Sequence, residues 1–178
     1  MSDPLRIAIA GLGNVGSGTA QLIQQNADLL GKRTGRTLKI TSISARDKSK
    51  DRGFSTSGMN WFDDPVVMAR DNDSDVLVEL IGGEDGIAKE VCEEALKSGK
   101  HVVTANKALL AVNGESLISL ADSNNLILNY EAAVAGGIPI VKAIREGLAG
   151  NNINRIYGIL NGTCNYILTE MRLQRRAF

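Results

Sequence analysis

Short apolar runs alternate with amphipathic stretches along the first 130 residues of this 178-residue chain. The runs have the length of buried strands, and the stretches between them place apolar side chains on one helical face. The predicted strands are 5–10, 38–45, 76–81, 102–103 and 126–130. The predicted helices are 15–30, 66–70, 88–97 and 114–123. Strands and helices that alternate with short connections predict a doubly wound α/β fold built on a parallel sheet.

The pattern changes near residue 131, where bulky side chains become rare. Residues 131–137 are small and rich in glycine, which predicts an irregular loop. Further predicted elements follow, namely a helix over 139–148, a strand over 152–160, a capped turn at 161–163 and a helix over 165–173. One strand and two helices cannot bury both faces of a sheet. We therefore predict a domain of residues 1–130, followed by the truncated beginning of a second, α+β domain, residues 131–178. A frayed helix at the end of the chain is the alternative to truncation.

Composition and charge narrow the range of partners. Lys and Arg together number 20, as do Asp and Glu, so the formal net charge is zero. A chain without a broad positive field is a poor candidate for binding nucleic acid or an anionic membrane surface. Cys92 and Cys164 lie far apart and outside any C-x-x-C pair, which argues against a disulfide framework or a zinc site. With no signal-like or membrane-length apolar run, we expect a cytoplasmic protein that acts on a small molecule.

The first predicted strand ends in a glycine motif. Gly11, Gly13 and Gly16 form G-x-G-x-x-G, enclosing Asn14 and Val15, between this strand and the helix that follows. In that context the first glycine permits a tight turn, the second admits a pyrophosphate and the third lets helix and strand pack closely. The free N–H groups of the helix N-terminus favour phosphate. The motif predicts a Rossmann-type NAD(P) site that includes these five residues.

The choice between NAD and NADP depends on the residues that follow the second strand. An acidic side chain there favours the ribose hydroxyl of NAD, whereas an arginine favours the 2′-phosphate of NADP. The sequence offers both, as Arg46 followed by Asp47. We predict that Arg46 contacts the cofactor and that NADP is preferred, while NAD remains open.

Four further segments carry more specific information than the glycine motif. They are E-L-I-G-G at 79–83, H-V-V-T-A-N-K at 101–107, Y-E-A-A-V-A-G-G-I-P at 130–139 and G-I-L-N-G-T-C-N-Y-I-L at 158–168. Together with the glycine motif, and in this order, they resemble homoserine dehydrogenase over nearly the whole chain. The resemblance implies NAD(P)-dependent interconversion of L-homoserine and L-aspartate 4-semialdehyde, on the route to threonine and methionine.

Lys107 is the candidate catalytic residue. It lies just past the carboxyl end of a predicted strand, where open α/β sheets place their ligands, and its ammonium group can bind a carboxylate or hydroxyl. The resemblance implies that Lys107 contacts both cofactor and substrate. It also assigns Gly82, Thr104 and Gly162 to the cofactor, and Asn161 and Thr163 to the substrate.

A sodium ion is the predicted metal. Glu131 stands in a small-residue loop, and one carboxylate with backbone oxygens suits a hard cation better than zinc or copper. A carboxylate that caps a backbone N–H is the alternative for Glu131. The resemblance implies sodium, held by Glu131 with backbone groups of Val134, Gly136 and Ile138.

The chain also departs from the family's pattern. Cys164 stands where the family commonly has threonine, and we expect it to preserve packing rather than act as a nucleophile. The family continues with a substrate-binding Glu, an Asp and a catalytic Lys that have no match before Phe178. We expect an incomplete part with little or no turnover, whereas full-length members form homodimers. A non-catalytic NAD(P)-binding module, or another Rossmann dehydrogenase acting on an amino acid, are the alternatives.

Overall fold

The computed structural model describes residues 3–158 and 161–175 of the chain. Six strands within these ranges form one parallel sheet. They are β1 (Leu5–Ala10), β2 (Leu38–Ser44), β3 (Asn60–Phe62), β4 (Val76–Glu79), β5 (His101–Thr104) and β6 (Leu128–Asn129). Their order across the sheet is β3-β2-β1-β4-β5-β6, and every neighbouring pair is parallel. This is the doubly wound, Rossmann-type order, which confirms the predicted fold class.

Helices connect the strands and cover the sheet. They are α1 (Asn14–Gln25), α2 (Ala27–Thr34), α3 (Pro65–Arg70), α4 (Ile87–Lys97), α5 (Lys107–Ser123), α6 (Glu131–Ala135), α7 (Ile140–Lys142) and α8 (Gly162–Gln174). A π-helical turn, Ala143–Gly147, continues α7. The single helix predicted after the glycine motif is two helices, because the chain leaves helical geometry at Asn26.

The two faces of the sheet carry two apolar clusters. Strand β1 shows the alternation, since Ile7 and Ile9 belong to one cluster while Ala8 and Ala10 belong to the other. The first cluster gathers Leu12 and Ala20 beside the isoleucines of β2. The second is larger and packs helices α3, α4 and α5 against the sheet. Both faces of a parallel sheet are thereby buried, as this architecture requires.

The structure corrects four further sequence-based expectations. The sequence pattern predicts no strand between residues 45 and 66, where the structure has β3, a three-residue edge strand that is too short to produce a clear hydrophobic period. Helix α5 begins at Lys107 rather than at Gly114. Residues 131–135 form a helix, not an irregular loop. The strand predicted over 152–160 is wrong for 152–158, which are exposed and irregular, and its last two residues lie outside the described part.

The chain after residue 137 is far less buried than the sheet. Every described residue of 151–158 is exposed, and helix α8 has no buried residue. Exposed large apolar side chains there include Ile156, Tyr157, Tyr166, Leu168 and Leu173. The described residues contain no helix both long and apolar enough to span a membrane. The division into domains at residue 131 remains a prediction.

Candidate functional site

The glycine motif forms a tight turn between β1 and α1. Gly11 has φ = +95°, and a Cβ there would lie 2.6 Å from the Leu80 carbonyl oxygen. A Cβ on Gly16 would lie 1.9 Å from the Gly11 carbonyl oxygen, so only glycine lets α1 lie against this turn. A Cβ on Gly13 meets nothing within 4 Å. Two of the glycines therefore serve the backbone, while Gly13 faces open space that a ligand can enter.

Helix α1 begins without a side-chain cap. Gly13 is its N-cap residue, whereas Asp64, Asn106 and Asn161 cap helices α3, α5 and α8 through side-chain oxygens. The N–H groups of the first turn of α1 therefore lack a side-chain acceptor, and Asn14 and Val15 are exposed there. Uncapped N–H groups and the positive end of the helix dipole form an anion site.

The loop after β2 places Arg46 and Asp47 in different situations. Arg46 is exposed, and its guanidinium makes no hydrogen bond or ion pair with the part of the chain that the structure describes. The Asp47 carboxylate accepts hydrogen bonds from the Ser49 hydroxyl at 2.7 Å and from the Ser49 amide at 2.8 Å. These bonds, the hydroxyl's foremost, lower the pKa of Asp47. The acid is engaged within its own loop, while the arginine is available.

Arg52 joins this loop to the glycine motif, a role that the sequence reasoning missed. Its Nε donates to the Leu12 carbonyl at 3.3 Å, and its two terminal nitrogens donate to the carbonyls of Lys50 and Asp47. The guanidinium also lies 5.5 Å from the ring centroid of Trp61. The only sequence signal was a basic run, because Arg46, Lys48, Lys50 and Arg52 fall at every second position.

The loops after β4 and β5 share a buried carboxylate. Glu79, the last residue of β4, is 0% exposed. Its Oε1 accepts from the amides of Ile81 at 2.7 Å and Gly82 at 3.1 Å, and its Oε2 accepts from the Thr104 hydroxyl at 2.5 Å. Gly82 has φ = +85°, a left-handed conformation that suits glycine. The sequence showed Glu79 only as part of a motif.

Thr104 and Asn106 complete this network. The buried Thr104 hydroxyl also accepts a hydrogen bond from the Asn106 amide at 3.0 Å. The Asn106 side chain donates to the Gly83 carbonyl at 2.6 Å and accepts from the Leu109 amide at 3.1 Å, which caps α5. The Thr104 side chain is therefore used inside the protein, and the Asn106 cap fixes where α5 begins.

Lys107 is the first residue of α5. It is exposed, lines a cavity of about 650 Å³ with Tyr130, Ala133 and Val134, and forms no hydrogen bond or ion pair within the described ranges. A cation at a helix N-terminus is unfavourable, because the helix dipole is positive there. Local costs of this kind are typical of functional positions. The structure thus leaves the Lys107 ammonium free to bind an anionic or polar ligand.

The remaining predicted site residues lie after β6, in residues 131–163. The Glu131 carboxylate accepts from the amides of Val141 at 2.9 Å and Lys142 at 2.8 Å, so it caps α7. No cluster of His, Cys, Asp and Glu suited to a metal occurs in the described residues. The Asn161 side chain accepts from the Cys164 amide, and no described hydrogen bond joins Asn161, Gly162 or Thr163 to the loops after β4 and β5.

The parallel sheet of this order, the open glycine turn and the uncapped α1 define a dinucleotide-binding protein of the Rossmann class. Comparison with known proteins is more specific. Residues 11–131 match the family described as "Homoserine dehydrogenase, NAD binding domain", and residues 139–178 match "Homoserine dehydrogenase". The chain belongs to the homoserine dehydrogenase family, as its motifs predicted.

Individual relatives agree with this assignment. The homoserine dehydrogenase of Neisseria gonorrhoeae is 47% identical over 175 residues, which are 98% of this chain and 40% of the relative. A homoserine dehydrogenase structure from Thiobacillus denitrificans has a TM-score of 0.88 at 41% identity, and covers 98% of this chain and 40% of its own. A hyperthermophilic archaeal homoserine dehydrogenase in complex with NADPH has a TM-score of 0.76 at 26% identity, covering 96% and 56% respectively. The chain thus spans about 40% of the length of its curated relatives.

Proposed function

We propose that this chain is the NAD(P)-binding portion of an enzyme that interconverts L-homoserine and L-aspartate 4-semialdehyde. The observation that carries the proposal is the open position at Gly13 beside the uncapped N-terminus of α1, in a chain of this family. This open position lies at the carboxyl end of β1, next to β4, where the order of the strands reverses. Ligands of doubly wound sheets bind at this switch point.

The cofactor that the site favours is NADP. Strand β2 ends at Ser44, which has no acidic group for the ribose hydroxyls, and the Asp47 carboxylate is engaged by Ser49. Arg46 is exposed and unpaired within the described chain, so it can pair with a 2′-phosphate. One of the similar structures is a complex with NADPH. The loop chemistry therefore supports NADP over NAD.

Lys107 carries the part of the chemistry that this chain contributes. A bound nicotinamide coenzyme supplies the hydride that reduces the aldehyde of the substrate. Lys107 lines the cavity, and its Nζ donates hydrogen bonds to the substrate's carboxylate or carbonyl oxygen. Its charge, together with the positive end of α5, stabilises negative charge that develops on that oxygen.

A sodium ion at Glu131 belongs to the same proposal. Each carboxylate oxygen accepts one amide hydrogen and keeps a second acceptor site. Val134, Gly136 and Ile138 follow Glu131 within seven positions of the sequence, and the Ile138 carbonyl oxygen already accepts from the Ile140 amide at 2.8 Å. Such an oxygen-only donor set fits a hard cation. Broadening of the ²³Na NMR signal by the protein is expected, and Glu131→Gln should remove it. Glu146→Gln, an exposed acid on the adjacent π-helical turn, is the control; equal broadening by all three proteins would contradict the site.

The first test of the proposal is a titration with NADPH and NADH. Trp61 is the only tryptophan in the chain. It lies on β3 with its ring 5.5 Å from the guanidinium of Arg52, which bonds the glycine motif, so energy transfer to a bound nicotinamide reports binding. We expect NADPH to bind more tightly than NADH. Gly13→Val should abolish binding of both, because its side chain occupies the phosphate approach, while Gly18→Val, another open glycine on α1, keeps it. Binding that survives Gly13→Val would exclude this site.

The preference for NADP is tested at Arg46. Loss of a charge-assisted bond to phosphate should weaken NADPH about tenfold in Arg46→Ala, while NADH affinity is unchanged. Arg33→Ala, an exposed arginine in the last turn of α2, is the matched control. If Arg46→Ala and Arg33→Ala bind NADPH alike, the assignment of Arg46 fails.

A non-catalytic NAD(P)-binding module is the second candidate. The observation that favours it is the position of the predicted substrate residues 161–163 at an exposed helix start, without a described bond to the loops around Lys107. Oxidation of NADPH that depends on aspartate semialdehyde tests the module. Binding with turnover excludes it, whereas binding without turnover is expected both of the module and of a cofactor-binding portion that lacks the rest of the enzyme.

A further inference from the structure

We propose that Glu79 is a positioning residue that holds the nicotinamide-side loops of the site in one conformation. The inference rests on the proposed nucleotide-binding function and concerns a residue that touches neither cofactor nor substrate. Glu79 is fully buried at the carboxyl end of β4, and no described lysine or arginine pairs with it. A buried carboxylate without a counter-cation is costly and persists only when its hydrogen bonds compensate.

The hydrogen bonds of Glu79 show what it holds. One oxygen accepts from the amides of Ile81 and Gly82, so it fixes the turn that follows β4. The other accepts from the Thr104 hydroxyl, so it fixes the end of β5. The Thr104 oxygen already accepts from the Asn106 amide, so its hydrogen points to Glu79. All three bonds use the carboxylate as an acceptor.

A second set of bonds ties the same two loops together. The Asn106 side chain donates to the Gly83 carbonyl at 2.6 Å, and the Asn113 side chain donates to the Glu84 carbonyl at 2.7 Å. The turn over residues 80–84 is therefore attached to the first two turns of α5. Because α5 starts at Lys107, the position of the Lys107 backbone depends on the network centred on Glu79.

The location of this network determines which half of a cofactor it affects. A doubly wound sheet consists of two mononucleotide-binding halves, and the half with the glycine motif takes the adenosine side. Here β1, β2 and β3 form that half, while β4, β5 and β6 form the other. The loops held by Glu79 both belong to the second half. Substitution of Glu79 should therefore weaken binding of the nicotinamide nucleotide and leave binding of the adenosine half unchanged.

The test compares two ligands on the full chain. NADPH contacts both halves, whereas 2′-phospho-ADP-ribose lacks the nicotinamide and depends mainly on the glycine motif and Arg46. In Glu79→Gln an NH₂ group replaces one of the two acceptor oxygens. That group faces either the backbone N–H donors or the hydroxyl donor, so the hydrogen bonds to that oxygen are lost. We expect NADPH affinity to fall at least about tenfold, with 2′-phospho-ADP-ribose affinity unchanged. Glu94→Gln on α4, whose carboxylate bonds Arg70 instead, is the matched control and should bind both ligands like the original chain.

Thr104 provides an independent pair of variants if Glu79→Gln does not fold. Thr104→Val keeps the shape but removes the hydroxyl donor, and should show the same selective loss of NADPH affinity. Thr104→Ser keeps the hydroxyl donor and should bind NADPH like the original chain. Unchanged NADPH affinity in the folded variants overturns the proposal. Equal loss of both ligands also overturns it, because that pattern marks general destabilisation rather than positioning.

Amide hydrogen exchange separates failure of this inference from failure of the proposed function. In the ligand-free chain, the Ile81 and Gly82 amides should exchange slowly, and their protection should disappear in Glu79→Gln or Thr104→Val. If the original chain binds no nucleotide, the proposed function fails whatever the exchange shows. If it binds NADPH but both amides exchange as fast in the original chain as in the variants, Glu79 does not hold the loop.

Discussion

Two regions of this chain differ sharply in how they bury their apolar side chains. In residues 3–130 the strands and helices form two continuous clusters on the two faces of the sheet. After residue 130, Ala133 is the only buried apolar residue in the described part of the chain. Helices in proteins gain most of their stability from packing. The apolar core of the described chain therefore lies almost entirely in the first region, while the second is held mainly through local hydrogen bonds.

The largest expected effect comes from matched leucines in the two regions. Leu77 on β4 is 0% exposed, and Leu168 on α8 is 60% exposed. Leu77→Ala should lower the free energy of unfolding by about 2–5 kcal/mol, because it leaves a cavity between sheet and helices. Leu168→Ala should change it by less than about 0.5 kcal/mol. Urea unfolding followed by circular dichroism measures both, and similar losses would show that α8 is packed in solution.

A nucleotide should stabilise only the first region. At about one hundred times its Kd, NADPH should add about 2.7 kcal/mol to the free energy of unfolding. Amide exchange should slow in residues 11–17 and 80–84, which surround the site, and stay unchanged in α8. Slower exchange in α8 would contradict the comparison, since it would mean that the second region closes over the ligand.

Two asparagine caps provide a finer comparison. Asn106 is buried, caps α5 and also bonds the Gly83 carbonyl, whereas Asn161 is exposed and only caps α8. Asn106→Ala should lower the free energy of unfolding by about 1–3 kcal/mol, because buried partners lose their bonds. Asn161→Ala should reduce the helicity of α8 without a comparable change in that free energy. If both substitutions lower the midpoint of thermal unfolding equally, the two regions do not differ in their contribution to stability.

The smallest effect concerns an ion pair at the opposite end of the sheet from the site. The Arg6 guanidinium lies 2.6 Å from the Asp75 carboxylate, and its hydrogen bonds lower the pKa of that carboxyl group. A lowered pKa contributes stability above the ordinary carboxyl range, and the contribution disappears as pH falls through the lowered value. Asp75→Asn should therefore be less stable than the original chain at neutral pH and equal to it in acid.

The control for this prediction is Asp122→Asn, on an exposed face of α5, which should show no such pH dependence. Denaturant midpoints measured between neutral pH and about pH 2 cover the window, because an unperturbed aspartate titrates near pH 3.9. A stability difference for Asp75→Asn that persists when the carboxyl is protonated would exclude the ion pair as its source.

The sequence predicted the scaffold well because its signals are local. Strand β1 is confirmed from Leu5 to Ala10, and the helix predicted over 66–70 is confirmed as α3, which begins at Pro65 with Asp64 as its cap. The glycine turn was predictable because each glycine has a distinct steric reason, which the distances at Gly11 and Gly16 now show. Periodicity and capping residues act over a few positions, so one sequence suffices to read them.

The rest depends on contacts between distant residues. Edge strand β3 exists because Asn60, Trp61 and Phe62 pair with β2, which no pattern within three residues reveals. Glu79 and Thr104 are 25 positions apart, and their hydrogen bond arises only when β4 and β5 are neighbours. The alternation in 152–158 predicted a strand, but no partner strand is present in the described chain. An alternating pattern indicates only that a strand can form.

The order of the strands also bears on how the sheet assembles. Ile7 of β1 pairs with Val76 of β4, a longer separation along the chain than in any other pairing of the described sheet. Joining distant segments costs more loop-closure entropy and slows folding. We therefore expect β1 and β4 to pair after the two halves of the sheet have formed. The open space at Gly13, where the phosphates would bind, lies beside this pairing. Only a chain that has completed this last folding step should therefore bind nucleotide.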